Sequence, residues 1–321
     1  MEENAKEKLY HPKPLLTVDE QIAHLKAKGV TFDLCGEGEA RSYLQGKCRF
    51  FRTSAYRKLF PKYEGGSHDG EYIALDFGQL KYLAGLDQRL RETLLPMTLD
   101  IEHFSRDRLI ALASANGEDG YGIMSDFLAS SASQRRYIEN LLDSRKNDAY
   151  SGAIIESYGE ALPVQAFVEV VPFGTFIGLV KFCAERWGDD GLLDSHYMLK
   201  KTKSVRNGAA HLHLILNDVN GESRPRERIR PVVSQAIAAS GVPKRLRSKK
   251  LGNPKMAQIA TLLYQYSIEV PEGHTKERRK GGLADLFAYA DDNAGIVPEA
   301  NPAMSSLAFV RRLTKAFNLL D

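Results

Sequence analysis

Apolar residues recur every three or four positions along most of the chain, which is the spacing of one face of an α-helix. The longest such stretch extends from Tyr72 to about Ala115 and predicts two helices or one helix kinked at Pro96. Further stretches lie near 120–147, 163–172, 173–187 and 190–217. No run of alternating β-branched residues stands out, so the pattern predicts an all-α fold, most simply an antiparallel helical bundle.

Both ends of the chain add shorter helices. Thr17 to Glu20 has the sequence of a capping box and predicts a helix that ends at Gly29. After residue 220, basic and proline-containing segments such as RPRERIRP and GVPKRLRSKKLGNP interrupt the helical patterns. We therefore predict an N-terminal helical segment over 1–70, a helical bundle over 71–220 and a basic helical C-terminal appendage over 221–321.

The basic residues are unevenly distributed. Lys and Arg number 44 against 41 Asp and Glu, a net charge of only +3. Residues 221–255, however, include ten basic and only two acidic residues, a local charge of +8. Such a stretch suits the binding of a phosphate backbone. The predicted RNA contacts are Lys244, Arg245, Arg247, Lys249 and Lys250, with Arg52 beside aromatic residues as a further one. The alternative for the basic stretch is an ordinary exposed, solvated surface. The alternative for the region of Arg52 is that its aromatic neighbours only pack the N-terminal helices.

Other features narrow the class of protein. The 3 cysteines have neither CxxC nor Cys/His spacing, which argues against a disulfide framework and against a zinc site. The most apolar tract, VVPFGTFIGLV, is shorter than the roughly 20 residues that a membrane-spanning helix needs. The N-terminus has no apolar signal region. We expect a cytoplasmic protein without a metal, another cofactor or a membrane partner.

The segment SVRNGAAHLHLIL, at 204–216, carries the candidate chemistry. On a helix, its core-facing stripe would be Val205, Ala209, Leu212 and Leu216. Asn207 and His211 would lie on nearly the opposite side, and the long side chain of Arg206 would reach the same space. Small residues at 208–210 would let a two-fold related helix approach closely. By itself this spacing is weak, and the alternative is an ordinary satisfied histidine beside a solvated arginine.

Several motifs, in order, resemble the abortive-infection AbiD/AbiF-like (Abi_2) family, whose fold belongs to the HEPN superfamily of RNA-cleaving helical domains. KPLLTVDEQIAHLKAKGV resembles the family's KPxLTxxEQIxxLKxRG, and CRFFRTSAY its NYYRxSAY. VVPFGTFIGLVKF resembles its ExxxFGTxxxxY region, and RNGAAHLHLILN its closing RNxxAHHxRLWN. The likeness covers roughly residues 13–217. The second His of the closing motif is replaced here by Leu212, although His213 supplies a nearby imidazole.

The resemblance implies a HEPN-like bundle and a metal-independent endoribonuclease, with Arg206, Asn207 and His211 as the active-site set. His211 would be the general acid/base, Arg206 would bind the phosphate and Asn207 would position both. The products would carry a 2′,3′-cyclic phosphate. One His cannot easily act on both sides of a phosphate, which predicts a homodimer with a composite site.

The resemblance further implies a phage-defence toxin of a toxin–antitoxin pair, with a small structured RNA as inhibitor. Glu102 and Arg106 are expected to pair or to brace the site. The alternatives are a non-catalytic HEPN-like RNA-binding module and, because of the basic C-terminal part, a DNA-binding regulator.

Overall fold

A computed structural model describes residues 14–159, 161–219 and 228–320. The chain forms two compact units, Met1–Ala84 and Gly85–Asp321. The described residues 228–320 belong to the second of these units. Within the described ranges, no helix is both long enough and apolar enough to cross a bilayer.

The first unit is built mainly from short helices. Their bounds are α1 Val18–Lys26, α2 Glu37–Gly46, α3 Phe50–Ala55 and a 3-10 helix Tyr56–Leu59. The capping box predicted at Thr17 is confirmed, because its hydroxyl accepts from the backbone N–H of Glu20 while the Glu20 carboxylate accepts from the N–H of Thr17. Two short strands, β1 Val30–Thr31 and β2 Leu75–Asp76, pair in parallel, which the sequence did not predict.

The longest element is α4, which extends over Phe77–Ala115 and contains the boundary between the units. It is one helix of 39 residues that passes through Pro96, so the choice between two helices and one is settled. Proline has no N–H to donate to the preceding turn, but the loss of a single hydrogen bond does not end a helix that buries Leu94, Met97 and Ile101 on one side.

The remaining helices belong to the second unit. They are α5 Gly122–Ala129, α6 Ala132–Arg145, α7 Gly152–Tyr158, α8 Val164–Val170, α9 Phe173–Trp187, α10 Asp190–Ala210, α11 Pro231–Ala239, α12 Lys244–Leu251, α13 Pro254–Glu269, α14 His274–Asp292 and α15 Pro302–Ala316. The predicted all-α fold is confirmed, apart from the two short strands.

Within the second unit, helix α10 packs against both α9 and α13. On the α9 side, the ring nitrogen Nδ1 of His196 lies 2.9 Å from the carbonyl oxygen of Ile177. On the α13 side, buried Thr202 donates to the side-chain oxygen of Gln265 at 2.8 Å. Because α13 begins after residue 250, the C-terminal part of the chain covers one flank of the helix that carries the candidate site.

Candidate functional site

The last turns of α10 carry two of the three predicted catalytic residues. Arg206 and Asn207 lie within the helix, and both are half-buried. The guanidinium of Arg206 donates to the side-chain oxygen of Asn207 at 3.2 Å. This contact leaves the other guanidinium N–H groups and the amide NH2 of Asn207 available to donate to a bound group.

Helix α10 ends with a Schellman motif. The N–H of His213 donates to the carbonyl of Gly208 at 2.8 Å, and that of Leu212 donates to the carbonyl of Ala209 at 3.1 Å. Leu212 occupies the left-handed position of this motif, with φ +57°, where glycine is the usual residue. The predicted helix over 190–217 is therefore wrong beyond Ala210.

This early ending changes the surroundings of the third predicted residue. His211 is the C-cap of α10 and its side chain is exposed. Leu212, expected on the core stripe, is 53% exposed, whereas Leu216 is fully buried from a loop. The rings of His211 and His213 lie with centroids 6.1 Å apart. Two imidazoles therefore stand together at the exposed end of the helix.

The loop that follows, residues 211–219, is fixed from one side by α4. The carboxylate of Asp87, which is fully buried, accepts the backbone N–H groups of Ile215 and Leu216 at 2.8 and 2.6 Å. Its other oxygen pairs with Arg91, which is also buried. Arg91 in turn lies 3.5 Å from the carbonyl oxygen of His213. A buried ion pair thus holds the backbone just after His211.

The same loop is fixed from the other side by the start of α13. The ammonium of Lys255 donates to the carbonyl of Leu214 at 2.8 Å and to that of Asn217. Asn253 donates to the carbonyl of Asp218 at 3.0 Å. Residues that follow the predicted boundary at 220 therefore shape the segment that carries His211 and His213.

A cavity of about 680 Å³ lies beside α10, and Arg206 and Asn207 both line it. Its other charged lining residues are Lys203, one turn earlier on α10, Arg145 at the end of α6 and Glu102 on α4. His211 does not line the cavity. One chain therefore brings Arg206 and Asn207 into a common space, with His211 outside it at the end of the helix.

Three cations of this cavity form no ion pair with a carboxylate within the described ranges. Arg206 bonds to Asn207, Arg145 donates to the carbonyl of Val170, and Lys203 makes neither a hydrogen bond nor an ion pair there. Glu102, the acidic residue of the lining, pairs with Arg106, which does not line the cavity. A concave surface with unpaired cations raises the local concentration of anions. The cavity therefore suits an anionic ligand.

The expected pairing of Glu102 with Arg106 is confirmed. The two side chains, one turn apart on α4, are 2.6 Å apart and both are largely buried. Arg106 also donates to the carbonyl of Val171 at 3.2 Å and lies over the ring of Phe176 at 5.0 Å. The pair thereby ties α4 to the beginning of α9, whose first turn lines the cavity.

The predicted RNA contacts of the C-terminal part lie on α12, with one correction. Lys244, Arg245 and Lys249 are exposed, and Arg247 is partly exposed. Lys250 is buried and donates to the hydroxyl of Ser306 at 3.0 Å, and this burial lowers the pKa of its ammonium to about 8. Its buried ammonium is not placed to contact an external phosphate, contrary to the prediction for Lys250.

Two further predictions concern other parts of the chain. Arg52 belongs to α3 of the first unit, where it is partly exposed. The basic positions at 224 and 226 lie outside the described residues.

Sequence reasoning missed two cationic residues of the cavity. Lys203 is three positions before Arg206 and four before Asn207, so helical spacing places all three on neighbouring positions of one face. That spacing was a usable signal. Arg145 is distant in sequence and reaches the cavity only through the tertiary fold, so nothing local could have found it.

A family of known proteins matches the part of the chain that carries the candidate site. No curated protein and no solved structure matches the sequence. In the described ranges, no group of three or more His, Cys, Asp or Glu side chains is arranged to hold a metal ion. The sequence model of the family described as Abi-like protein matches residues 43–217, which includes Arg206, Asn207 and His211. The chain therefore belongs to the Abi-like family of abortive-infection-type proteins.

Proposed function

We propose that this Abi-like protein is a metal-independent endoribonuclease of the HEPN type, which arrests growth as the toxin of a toxin–antitoxin pair. The observation that carries the proposal is the position of Arg206 and Asn207, bonded to each other in a cavity with unpaired cations. An arginine fork suits two phosphoryl oxygens, and the cavity suits an anion. Family membership supports the same assignment.

The chemistry needs only proton transfer and charge stabilisation, because RNA supplies its own nucleophile. His211 removes the proton of the 2′-hydroxyl, and the 2′-oxygen forms a bond to phosphorus while the bond to the 5′-oxygen breaks. Arg206 stabilises the extra negative charge on the non-bridging oxygens. A second imidazole gives a proton to the departing 5′-oxygen, which leaves a 2′,3′-cyclic phosphate and a 5′-hydroxyl.

The second imidazole is best supplied by a second copy of the chain. His211 is exposed at the end of α10, next to the exposed apolar side chain of Leu212 and the small residues at 208–210. A two-fold contact at this helix end would bring two His211 side chains toward one RNA strand. Sedimentation of the active protein should give a dimer, and a fully active monomer would overturn the composite site.

The non-catalytic RNA-binding module remains the second candidate, favoured by one observation. Arg206 and Asn207 line the cavity while His211 does not, so a single chain has a place for a phosphate without an adjacent imidazole. Such a protein would bind RNA and leave it intact.

Cleavage of total RNA by the purified protein and its His211→Ala variant separates the two candidates. We expect the variant to be slower by about 10²–10⁴-fold, the usual contribution of a general acid/base. His274→Ala, which removes an exposed imidazole elsewhere in the same unit, is the matched control and should retain wild-type rates. Equal cleavage by all three proteins would refute the catalytic assignment, and absence of cleavage together with tight RNA binding would favour the binding module.

A further inference from the structure

Lys203 occupies an electrostatically unfavourable place in the cavity. A Cβ atom at Gly174 would lie 2.5 Å from the Lys203 ammonium, so that ammonium is seated directly against the backbone of Gly174. Gly174 belongs to the first turn of α9, and residues 172–175 of this turn line the cavity. The first turn of a helix carries partial positive charge, and cations are stabilised at the opposite end. An anion between them would relieve the repulsion.

The absence of a side chain at Gly174 is what leaves room for the ammonium. Gly178, one turn further along α9, also lines the cavity, but a Cβ atom there would meet nothing within 4 Å. A side chain at 174 would therefore disturb Lys203, and a side chain at 178 would not. An alanine at 174 displaces the end of a flexible lysine, whereas an alanine at 178 displaces nothing.

Other lining groups indicate what kind of anion fits. Arg206 is one turn from Lys203 on α10, and Arg145 adds a third cation. Tyr137 lines the same cavity and is 55% exposed, so its ring is accessible to a base. Gln134, a further lining residue, has a buried side-chain nitrogen that donates to no acceptor in the described ranges. Cations beside an accessible aromatic ring are the combination that binds single-stranded nucleic acid.

We infer that Lys203 is a further substrate-binding residue, and that with the first turn of α9 it holds a phosphate of single-stranded RNA. The inference rests on the proposed ribonuclease function in that this phosphate neighbours the one bound by Arg206. An ammonium acts there as a point charge that any phosphate satisfies. Lys203 therefore contributes affinity and position along the strand, without selecting a base sequence.

The test measures RNA binding in a background that does not depend on cleavage. A fluorescein-labelled single-stranded RNA of mixed sequence is titrated with the full-length His211→Ala protein at several KCl concentrations. Lys203→Gln and Gly174→Ala are then added to this background. Each should weaken binding and reduce the slope of log affinity against log salt by about 0.7, the value for one phosphate contact on a single strand.

Two controls separate this effect from general changes in charge or fold. Lys200→Gln removes the same charge from an exposed position of α10, and Gly281→Ala adds the same methyl group at an exposed position of α14, outside the cavity, where a Cβ atom meets nothing within 4 Å. Both should retain the slope of the background protein. Gly174→Ala raises helix propensity, so its thermal unfolding midpoint should not fall.

The possible results decide this inference separately from the proposed activity. A reduced slope in Lys203→Gln and Gly174→Ala alone supports the phosphate site, even if the wild-type protein fails to cleave RNA. An unchanged slope in both variants overturns the phosphate site, even if the wild-type protein cleaves RNA efficiently. Failure of the background protein to bind the RNA at all also overturns it.

Discussion

The buried carboxylate of Asp87 is expected to determine whether the 211–219 loop keeps its conformation. In Asp87→Asn the side chain has nearly the same shape but no charge. Arg91, only 6% exposed, then becomes a buried cation without its partner. Breaking a buried pair in this way destabilises proteins by about 3–5 kcal/mol, a large fraction of the roughly 5–15 kcal/mol that holds a typical domain folded.

Urea unfolding followed by tryptophan fluorescence measures this loss in the relevant unit. Trp187 is the single tryptophan of the chain and lies on α9 of the second unit. With an m-value of about 3 kcal/mol/M, a loss of about 3 kcal/mol lowers the urea midpoint by about 1 M. Asp107→Asn is the matched control, because Asp107 is exposed on the same helix and pairs with exposed His103. It should change stability by less than about 0.5 kcal/mol.

A double variant separates the ion pair from the anchoring of the loop. Asp87→Leu with Arg91→Met removes both charges, so the penalty for an unpaired cation disappears. The N–H groups of Ile215 and Leu216 still lose their acceptor, at about 1–3 kcal/mol for each buried group. A loss below about 1 kcal/mol in Asp87→Asn, or full recovery in the double variant, would refute the idea that Asp87 anchors the loop.

Three further outcomes follow from single side chains. Leu212→Gly should stabilise the second unit by about 1 kcal/mol in urea unfolding, because glycine adopts the left-handed conformation without strain; a loss of stability would contradict this. In the wild-type protein, burial lowers the pKa of folded Lys250 to about 8, so between about pH 8 and pH 10.5 the unfolded lysine binds a proton and the folded one does not. The stability of the wild-type protein should therefore rise over this range, and Lys250→Met should abolish that rise. Parallel pH–stability curves for the two proteins would exclude this role for burial. Glu102→Gln should tighten RNA binding in the His211→Ala background by leaving Arg106 unpaired beside the cavity, and weaker binding would show that the pair contributes mainly structure.

The sequence predicted those parts of the fold that depend on local signals. The capping box at Thr17 satisfies backbone N–H groups from within the same turn, and the apolar pattern over 173–187 predicts α9 with the bounds that it has. The end of α10 has no such signal, because neither glycine nor proline follows Ala210. The helix stops there with Leu212 in a strained conformation, held by Asp87 from a distant part of the chain. Only tertiary contacts make that ending favourable.

The candidate site divides in the same way. The adjacent positions of Arg206 and Asn207 follow from helical spacing, and so does the position of Lys203. Other features of the site depend on the tertiary fold. They are the cavity itself, the position of Arg145 in its lining, and the space at Gly174 that the Lys203 ammonium occupies. The prediction that the helix continues past His211 failed for the same reason. The burial of Lys250 was equally invisible in a run of basic residues.

The ends of the RNA fragments test the proposed chemistry most directly. Purified protein is incubated with RNA in EDTA, and the fragments are analysed by mass spectrometry beside those of Arg206→Ala and His211→Ala. The account predicts 2′,3′-cyclic phosphate and 5′-hydroxyl ends from the wild-type protein, at rates at least about 10²-fold above either variant. Fragments with 3′-hydroxyl and 5′-phosphate ends, or equal rates in all three proteins, would contradict it.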